Sequence, residues 1–203
     1  MPVHKTNRLD ILKQAGQVFR LRGYHGTSMS DLEKALNVKK ATLYHYFKGG
    51  KEELMQAVLD LTLTYFRERV WPILMDEKRS PAARYTFAAG KLYHFFTRLK
   101  GGCIMGNTSL ECAHLDPVPS FMREVKAYFD DSLAAMNHLY GLVLSDEAAE
   151  VQAKHFVQDL EGGIMLMRVY DDPRFLEEAL KRGGEPFGLE LTFPIPKPEA
   201  PSS

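Results

Sequence analysis

Thr27-Ser28-Met29-Ser30-Asp31-Leu32-Glu33-Lys34-Ala35-Leu36-Asn37-Val38-Lys39-Lys40-Ala41-Thr42-Leu43-Tyr44-His45-Tyr46-Phe47-Lys48-Gly49-Gly50-Lys51-Glu52-Glu53-Leu54 is the stretch on which the fold turns. Ser28-Met29-Ser30-Asp31 reads as a capping-box variant that opens a short helix ending at Ala35 or Leu36, because a Ser side chain and an acid three residues on satisfy two amides of the first turn. Asn37 follows, a residue that tolerates the left-handed backbone needed for two helices to meet at a steep angle. A third short helix, about Lys39 to Tyr46, comes next, with Leu43 and Phe47 four apart and facing inward toward Leu32, Leu36 and Phe19. Upstream, Thr6 is placed to cap a helix running to about Arg22, with Ile11, Ala15, Val18 and Phe19 on one face and Gly23 as a left-handed stop. Three short helices with a tight turn between the last two follow the helix-turn-helix plan, whose last helix enters the major groove.

Downstream of Gly49-Gly50 the segments lengthen. Lys51–Met75, Pro81–Lys100, Cys103–His114, Pro119–Leu144, Asp146–Tyr170 and Pro173–Arg182 all read as helices, bounded by an irregularity next to Pro72, Ser80-Pro81, Gly101-Gly102, Asp116-Pro117, Ser145 and Asp172-Pro173. With no strand-rich block before residue 184, the expectation is an all-α chain: a helix-turn-helix domain over residues 1–52 and a helical bundle over residues 53–203.

Charge supports that division. The 203 residues hold 26 Lys+Arg and 26 Asp+Glu, so the formal net charge is zero. Residues 1–55 nevertheless carry ten basic side chains against five acidic ones, a net +5, which leaves −5 on the remainder. A basic module joined to an acidic one suits a protein that meets phosphates with one end only. A 45% apolar composition is enough for a packed core. Two cysteines make no disulfide framework, the first ten residues lack the apolar run of a signal peptide, and no segment is apolar enough to span a membrane, so a cytoplasmic location without membrane partners is expected.

On the third helix, Lys40, Ala41, Tyr44 and His45 project over about one turn, where long donors reach base edges and a small Ala41 permits close approach. Thr27, Ser28, Thr42 and the start of the fourth helix at Lys51 suit phosphates, through hydroxyls, backbone amides and the helix dipole. Tyr44 and Tyr46 also fit a reading as core aromatics, His45 as a phosphate contact, and Lys48 as a solvated loop residue.

The run from Thr27 to Leu54, with Phe19, Gly23-Tyr24, Gly26-Thr27-Ser28, the Thr42-Leu43-Tyr44 triplet and Phe47-Lys48-Gly49-Gly50-Lys51-Glu52, resembles the DNA-binding signature of the TetR/AcrR family of transcriptional regulators over about residues 6–54. Lys39 departs from the pattern, since the family commonly has a Ser or Thr cap there; a weaker cap and one more phosphate contact are expected. The resemblance implies a homodimer on double-stranded, palindromic operator DNA, most often a repressor, released by a small-molecule effector, with no cofactor and no enzymatic activity. A DNA-binding protein without an effector, and a helical enzyme, are the competing readings.

For the effector, an aromatic and thioether lining is expected, with Tyr65, Phe66, Tyr93, Phe96 and Phe129 as candidate contacts and Asn107 and His138 as polar groups that orient a ligand. Cys103 follows Gly101-Gly102 at a helix start, where the dipole favours a thiolate; it reads either as a sensor of electrophiles or as an inert buried thiol. Cys112, nine residues on, faces the other side of the same helix. For the dimer, Phe156, Leu160, Gly163, Ile164 and Met167 on one helix and Leu176 and Leu180 on the next are the candidate face, with packing inside one subunit as the alternative. The histidines show no zinc-ligand spacing, and no catalytic triad or phosphate loop is present. Phe187, Leu189, Leu191, Phe193 and Ile195 alternate with the period of a strand before a run of prolines; the segment is either a disordered end or an arm packing its apolar face.

Overall fold

The computed structural model describes residues 7–195, which form ten α-helices and one 3-10 turn, with no strand among the described residues. The all-α expectation holds. The chain divides into two compact units: residues up to Thr64 together with Lys100–Tyr128, and Tyr65–Leu99 together with the residues from Phe129 onward.

The first unit begins with α1 (Arg8–Arg22), α2 (Met29–Leu36) and α3 (Lys40–Tyr46). Asn7, rather than the expected Thr6, caps α1 by accepting the Asp10 amide at 2.9 Å; Thr6 lies outside the described residues. Gly23 stops α1 with φ 75° but ψ 170°, so the chain leaves the helix extended rather than through a left-handed turn. Ser28 and Asp31 complete the capping box on α2, and Asn37 takes the left-handed conformation at φ 51°, ψ 44°. Leu32, Leu43 and Phe47 are fully buried, with Phe19 and Leu36 nearly so, which makes them the hub on which the three helices rest. The start of α4 (Gly50–Arg69), all of α7 (Ile104–Cys112) and the first residues of α8 (Met122–Tyr140) belong to the same unit.

The expected helix from Lys51 to Met75 is broken at Val70, and a four-residue α5 (Trp71–Leu74) follows. Pro72 sits at the start of α5, where its missing amide costs nothing; within a continuous helix it would remove a hydrogen bond and clash with the preceding turn. Ser80 caps α6 (Pro81–Arg98), again with proline in the first turn. Then α9 (Asp146–Tyr170), with the bounds read from the sequence, and α10 (Arg174–Gly184) pack on each other more extensively than any other helix pair among the described residues.

That packing settles what the expected dimer face does. Phe156, Leu160, Ile164, Leu176 and Leu180 are buried inside the subunit, none more than 6% exposed, and Met167 is half-buried. A Cβ on Gly163 would stand 2.8 Å from the Phe175 carbonyl oxygen and 3.1 Å from the Ala179 side chain. The glycine thus serves a close approach of α9 to α10 in one chain, the packing within one subunit that the sequence left as the alternative.

Among the described residues, the C-terminal segment packs on its own unit. Tyr85 and Tyr140 donate to the Leu180 and Gly183 carbonyls at 2.7 and 2.8 Å. Burial pushes both phenols well above their ordinary pKa. The Phe187 ring, in the 3-10 turn Glu185–Phe187, lies 5.3 Å from each of the two tyrosines. Phe193 lies on Tyr93 at 4.9 Å, Ile195 reaches Gly90, and the Ile195 carbonyl stands 3.2 Å from His94 Nε2. The period of two marks an extended arm that finds its partners in side chains rather than in a neighbouring strand.

Gly163→Ala is expected to destabilise the protein by about 1–3 kcal/mol, the usual cost of overpacking, because the obstructing atom is backbone. Urea melting checks it, and an unchanged midpoint contradicts the close packing of α9 on α10.

Candidate nucleic-acid interface

A seven-residue helix has too few hydrogen bonds to persist alone, so α3 must be held from outside. Its N-cap, Lys39, makes no side-chain cap bond, as its chemistry dictates. Glu33 on α2 supplies the missing acceptor: its Oε1 takes the Lys40 amide at 3.1 Å and places a carboxylate at the positive end of α3. Sequence reasoning missed this role, although a glutamate just before the Asn37 turn was the available signal.

With Leu43 and Phe47 facing the hub, Lys39, Lys40, Ala41, Tyr44 and His45 are all exposed on the opposite face of the α3 region, and Thr42 is half-buried. Tyr44 is 43% exposed, so it is not a core aromatic, and its ring edge lies close to Gly50. Tyr46 is half-buried against His45 and Phe47. The exposed cluster combines two ammonium groups, a phenol, an imidazole and a small residue, the mixture with which a helix reads base edges and phosphates. Arg8, not singled out from sequence, sets its guanidinium 5.3 Å over the Phe47 ring.

Two expected phosphate contacts are used otherwise. Thr27 is 1% exposed and donates its hydroxyl to the Gly23 carbonyl at 2.7 Å, which braces the corner between α1 and α2. Lys51 turns inward: Nζ donates to the Tyr24 carbonyl at 2.9 Å and lies 4.1 Å over the Tyr24 ring. Burial lowers the pKa of this ammonium, with Cys112 and Glu111 opposing that shift. Ser28 stays exposed, but its hydroxyl is committed to Asp31.

The candidate effector residues separate between the two units. Tyr65 stacks on Phe95 at 4.9 Å, and Phe66 meets Phe95 edge-on at 5.1 Å and Phe96 at 6.3 Å. Tyr93 reaches Glu177 at 3.3 Å and has its pKa raised, by burial first and by Glu177 next. Phe129 is half-buried, whereas His138 is exposed on α8 and so lies outside the apolar interior where it was expected to orient a ligand. Cys103 and Asn107 belong to the unit of α1–α3. Asn107 donates to the Gly101 carbonyl at 2.8 Å and to the Arg20 carbonyl at 3.4 Å, so its amide ties down the turn before α7. Cys103 is 5% exposed and caps α7 by accepting the Gly106 amide at 3.5 Å. Arg20 is 8% exposed, its Nε has no partner, and burial lowers its pKa against the opposing influence of Cys103. In the second unit, Pro72, Ile73, Asp76, Arg79 and Phe87 line an open cleft of about 390 Å³. No helix among the described residues is long and apolar enough to cross a membrane.

The capped α2, the Asn37 turn and the exposed face of α3 above a buried Leu43–Phe47 pair define a helix-turn-helix DNA-binding protein. Residues 11–58 match the family described as bacterial regulatory proteins, tetR family. The chain is 24% identical over 180 residues to an uncharacterized HTH-type transcriptional regulator from the lacX 3' region of Lactococcus lactis, covering 85% of this chain and 89% of that protein. It is 26% identical over 183 residues to the HTH-type transcriptional repressor DhaR of a Mycobacterium species, covering 85% and 88%. Among solved structures, a TetR transcriptional regulator from Legionella pneumophila superimposes with a TM-score of 0.74 at 21% identity, covering 90% of this chain and 98% of that one. AibR, solved with isovaleryl coenzyme A and operator DNA, gives 0.63 at 20% identity, covering 85% and 95%. At these identities the superpositions speak for the fold alone. Residues 11–58 thus carry the DNA-binding module of the tetR family, and the fold of the chain is that of the TetR-family structures.

Hydrogen bonds from the Ser28 hydroxyl and amide hold the Asp31 carboxyl below the usual carboxylate range. A carboxyl with a lowered folded pKa stabilises the fold at neutral pH, and that contribution disappears as pH falls through the lowered value. Ser28→Ala should therefore destabilise the protein by about 1 kcal/mol at pH 7, the usual worth of an N-cap. The gap to wild type should narrow below about pH 4, where carboxylates protonate. Urea melting of both proteins across that range checks it; a gap independent of pH argues against the reciprocal cap.

Proposed function

We propose that the protein is a repressor that binds a palindromic operator as a homodimer and leaves it when a small apolar or electrophilic molecule binds. The observation that carries the DNA half is the exposed Lys39, Lys40, Ala41, Tyr44 and His45 on a helix anchored by the buried Leu43 and Phe47. DhaR, alike over most of its length, is named a repressor, and AibR was solved with operator DNA and an acyl-coenzyme A. For this chain, the aromatic cluster of Tyr65, Phe66, Phe95 and Phe96 and the cleft at Pro72 and Phe87 supply apolar surface for an effector. Cys103 at the start of α7, within electrostatic reach of the buried Arg20, supports the electrophilic alternative.

Two copies are needed because one helix-turn-helix reads too few base pairs. With the inner face of α9 spent on α10, the outer face is the surface we assign to the second copy. Val151, His155, Gln158, Gly162, Met165 and Val169 follow one another at intervals of four and three, and all but the half-buried Gly162 are exposed. Met165 is 56% and Val169 67% exposed, and a Cβ on Gly162 would meet nothing within 4 Å, so a partner helix can approach closely there.

Lys40→Ala and Tyr44→Ala are expected to weaken binding to the selected operator by about tenfold each, the cost of one good base or phosphate contact, with melting temperatures unchanged. A shallower dependence on salt should accompany the lysine change only. Fluorescence anisotropy titrations at several salt concentrations check both, and undiminished binding in the pair refutes the assigned surface. A compound that lowers wild-type operator affinity, or leaves an adduct on Cys103 seen by mass spectrometry, supports the effector half; a protein that no compound class moves is a constitutive DNA binder.

Met165→Asp should convert the dimer to monomers in sedimentation and reduce operator affinity by about a hundredfold through loss of the second half-site. A dimer that persists with unaltered affinity removes α9's outer face from the interface.

A further inference from the structure

The corner from Gly23 to Thr27, which sets where α2 and then α3 lie, is held by a residue far away in the chain. Glu111, on α7, accepts the Tyr24 amide at 2.7 Å and the His25 amide at 3.2 Å through a single oxygen, Oε2. The approach leaves no room for a side chain at Gly23, where a Cβ would overlap the Glu111 carboxylate. From the other side, Lys51 takes the Tyr24 carbonyl at 2.9 Å. The Tyr24 ring packs edge-on against Phe121 at 4.9 Å. The Tyr24 amide is thus satisfied by a charged side chain from α7, and its carbonyl by Lys51 of α4 together with the Thr27 amide at 3.3 Å. Ser28, the cap of α2, follows directly, and the chain between is fixed to Gly23 by the Thr27 hydroxyl.

We propose that Glu111 is a positioning residue for operator recognition: through two backbone amides it fixes the α1–α2 corner, and through that corner the placement of α2 and α3 on DNA. The carboxylate touches no base and no phosphate. It works by leaving the two amides a single charge-assisted acceptor, so that displacement of the C-terminal turn of α7 moves the corner or abandons both bonds. The inference rests on the DNA-binding reading above and adds to it a residue outside the helix-turn-helix.

The test uses the full-length protein and the duplex that the wild type selects from a random double-stranded DNA library. If the wild type enriches no duplex, the DNA-binding reading itself falls. Given a selected duplex, Glu111→Ala should bind it about tenfold or more weakly, the scale of losing charge-assisted hydrogen bonds. Glu111→Gln, which keeps an acceptor for the two amides, should bind within about threefold of wild type. In the free protein, hydrogen exchange at Tyr24 and His25 should accelerate in the alanine variant and recover in the glutamine variant, while α2 and α3 keep their protection. Should the alanine variant fail to fold, Glu111→Asp, which withdraws the carboxylate by one methylene, is expected to show the same weakened binding with α2 and α3 still protected. The proposal is overturned by wild-type affinity in the alanine or aspartate variant, by glutamine binding as weakly as alanine, or by a loss of affinity that accompanies general loss of protection in α2 and α3.

Discussion

Two apolar side chains beneath a short helix carry the DNA-reading end of this protein. With seven residues and no side-chain cap of its own, α3 gains its order from burial of Leu43, and just beyond its end of Phe47, against Phe19, Leu32 and Leu36. Once that inner face is fixed, rotation of the helix is fixed as well. Lys40, Ala41, Tyr44 and His45 then have no direction to point but outward. The proposed recognition surface is in this sense the remainder left by a packing requirement, and Glu33 and Asn37 refine its position rather than create it.

What could be read from the sequence is what depends on neighbours a few residues apart. The Ser28–Asp31 box, the left-handed Asn37, the inward pair Leu43 and Phe47, and α9 from Asp146 to Tyr170 are all local patterns, and all appear as expected. The Lys51 ammonium is held by a carbonyl 27 residues earlier, a partner that no spacing rule supplies. Thr27 is a related case, since a hydroxyl near a helix start suits a phosphate and a nearby carbonyl equally well. The break at Val70 lies beside Pro72, where the sequence already marked an irregularity inside the expected helix from Lys51 to Met75.

The helix pair α9 and α10 shows why a good observation left the partner open. Two glycines inside a long helix do indicate close packing, and Gly163 delivers it, against Phe175 and Ala179 of the same chain. Its neighbour Gly162 faces away, toward open space. Adjacent residues on a helix point about 100° apart, so a glycine pair can serve two different surfaces at once. Only knowledge of which side α10 occupies separates the two, and that is a fact of tertiary structure.

The discontinuous make-up of both units has a consequence for how the protein comes into being. Residues up to Thr64 form a unit with Lys100–Tyr128, and the clasp of Glu111 on Tyr24 joins positions 87 apart. The other unit closes only when Ile195 reaches His94, 101 residues away. A chain leaving the ribosome from its N-terminus therefore cannot make the Glu111–Tyr24 clasp until α7 has emerged, nor the contact of Ile195 with His94 until residue 195 has. Contacts of such high sequence separation require ordering long stretches before they return any stabilisation. A chain stopped before α7 that still contains α1–α3 lacks the Glu111 carboxylate that accepts the Tyr24 and His25 amides.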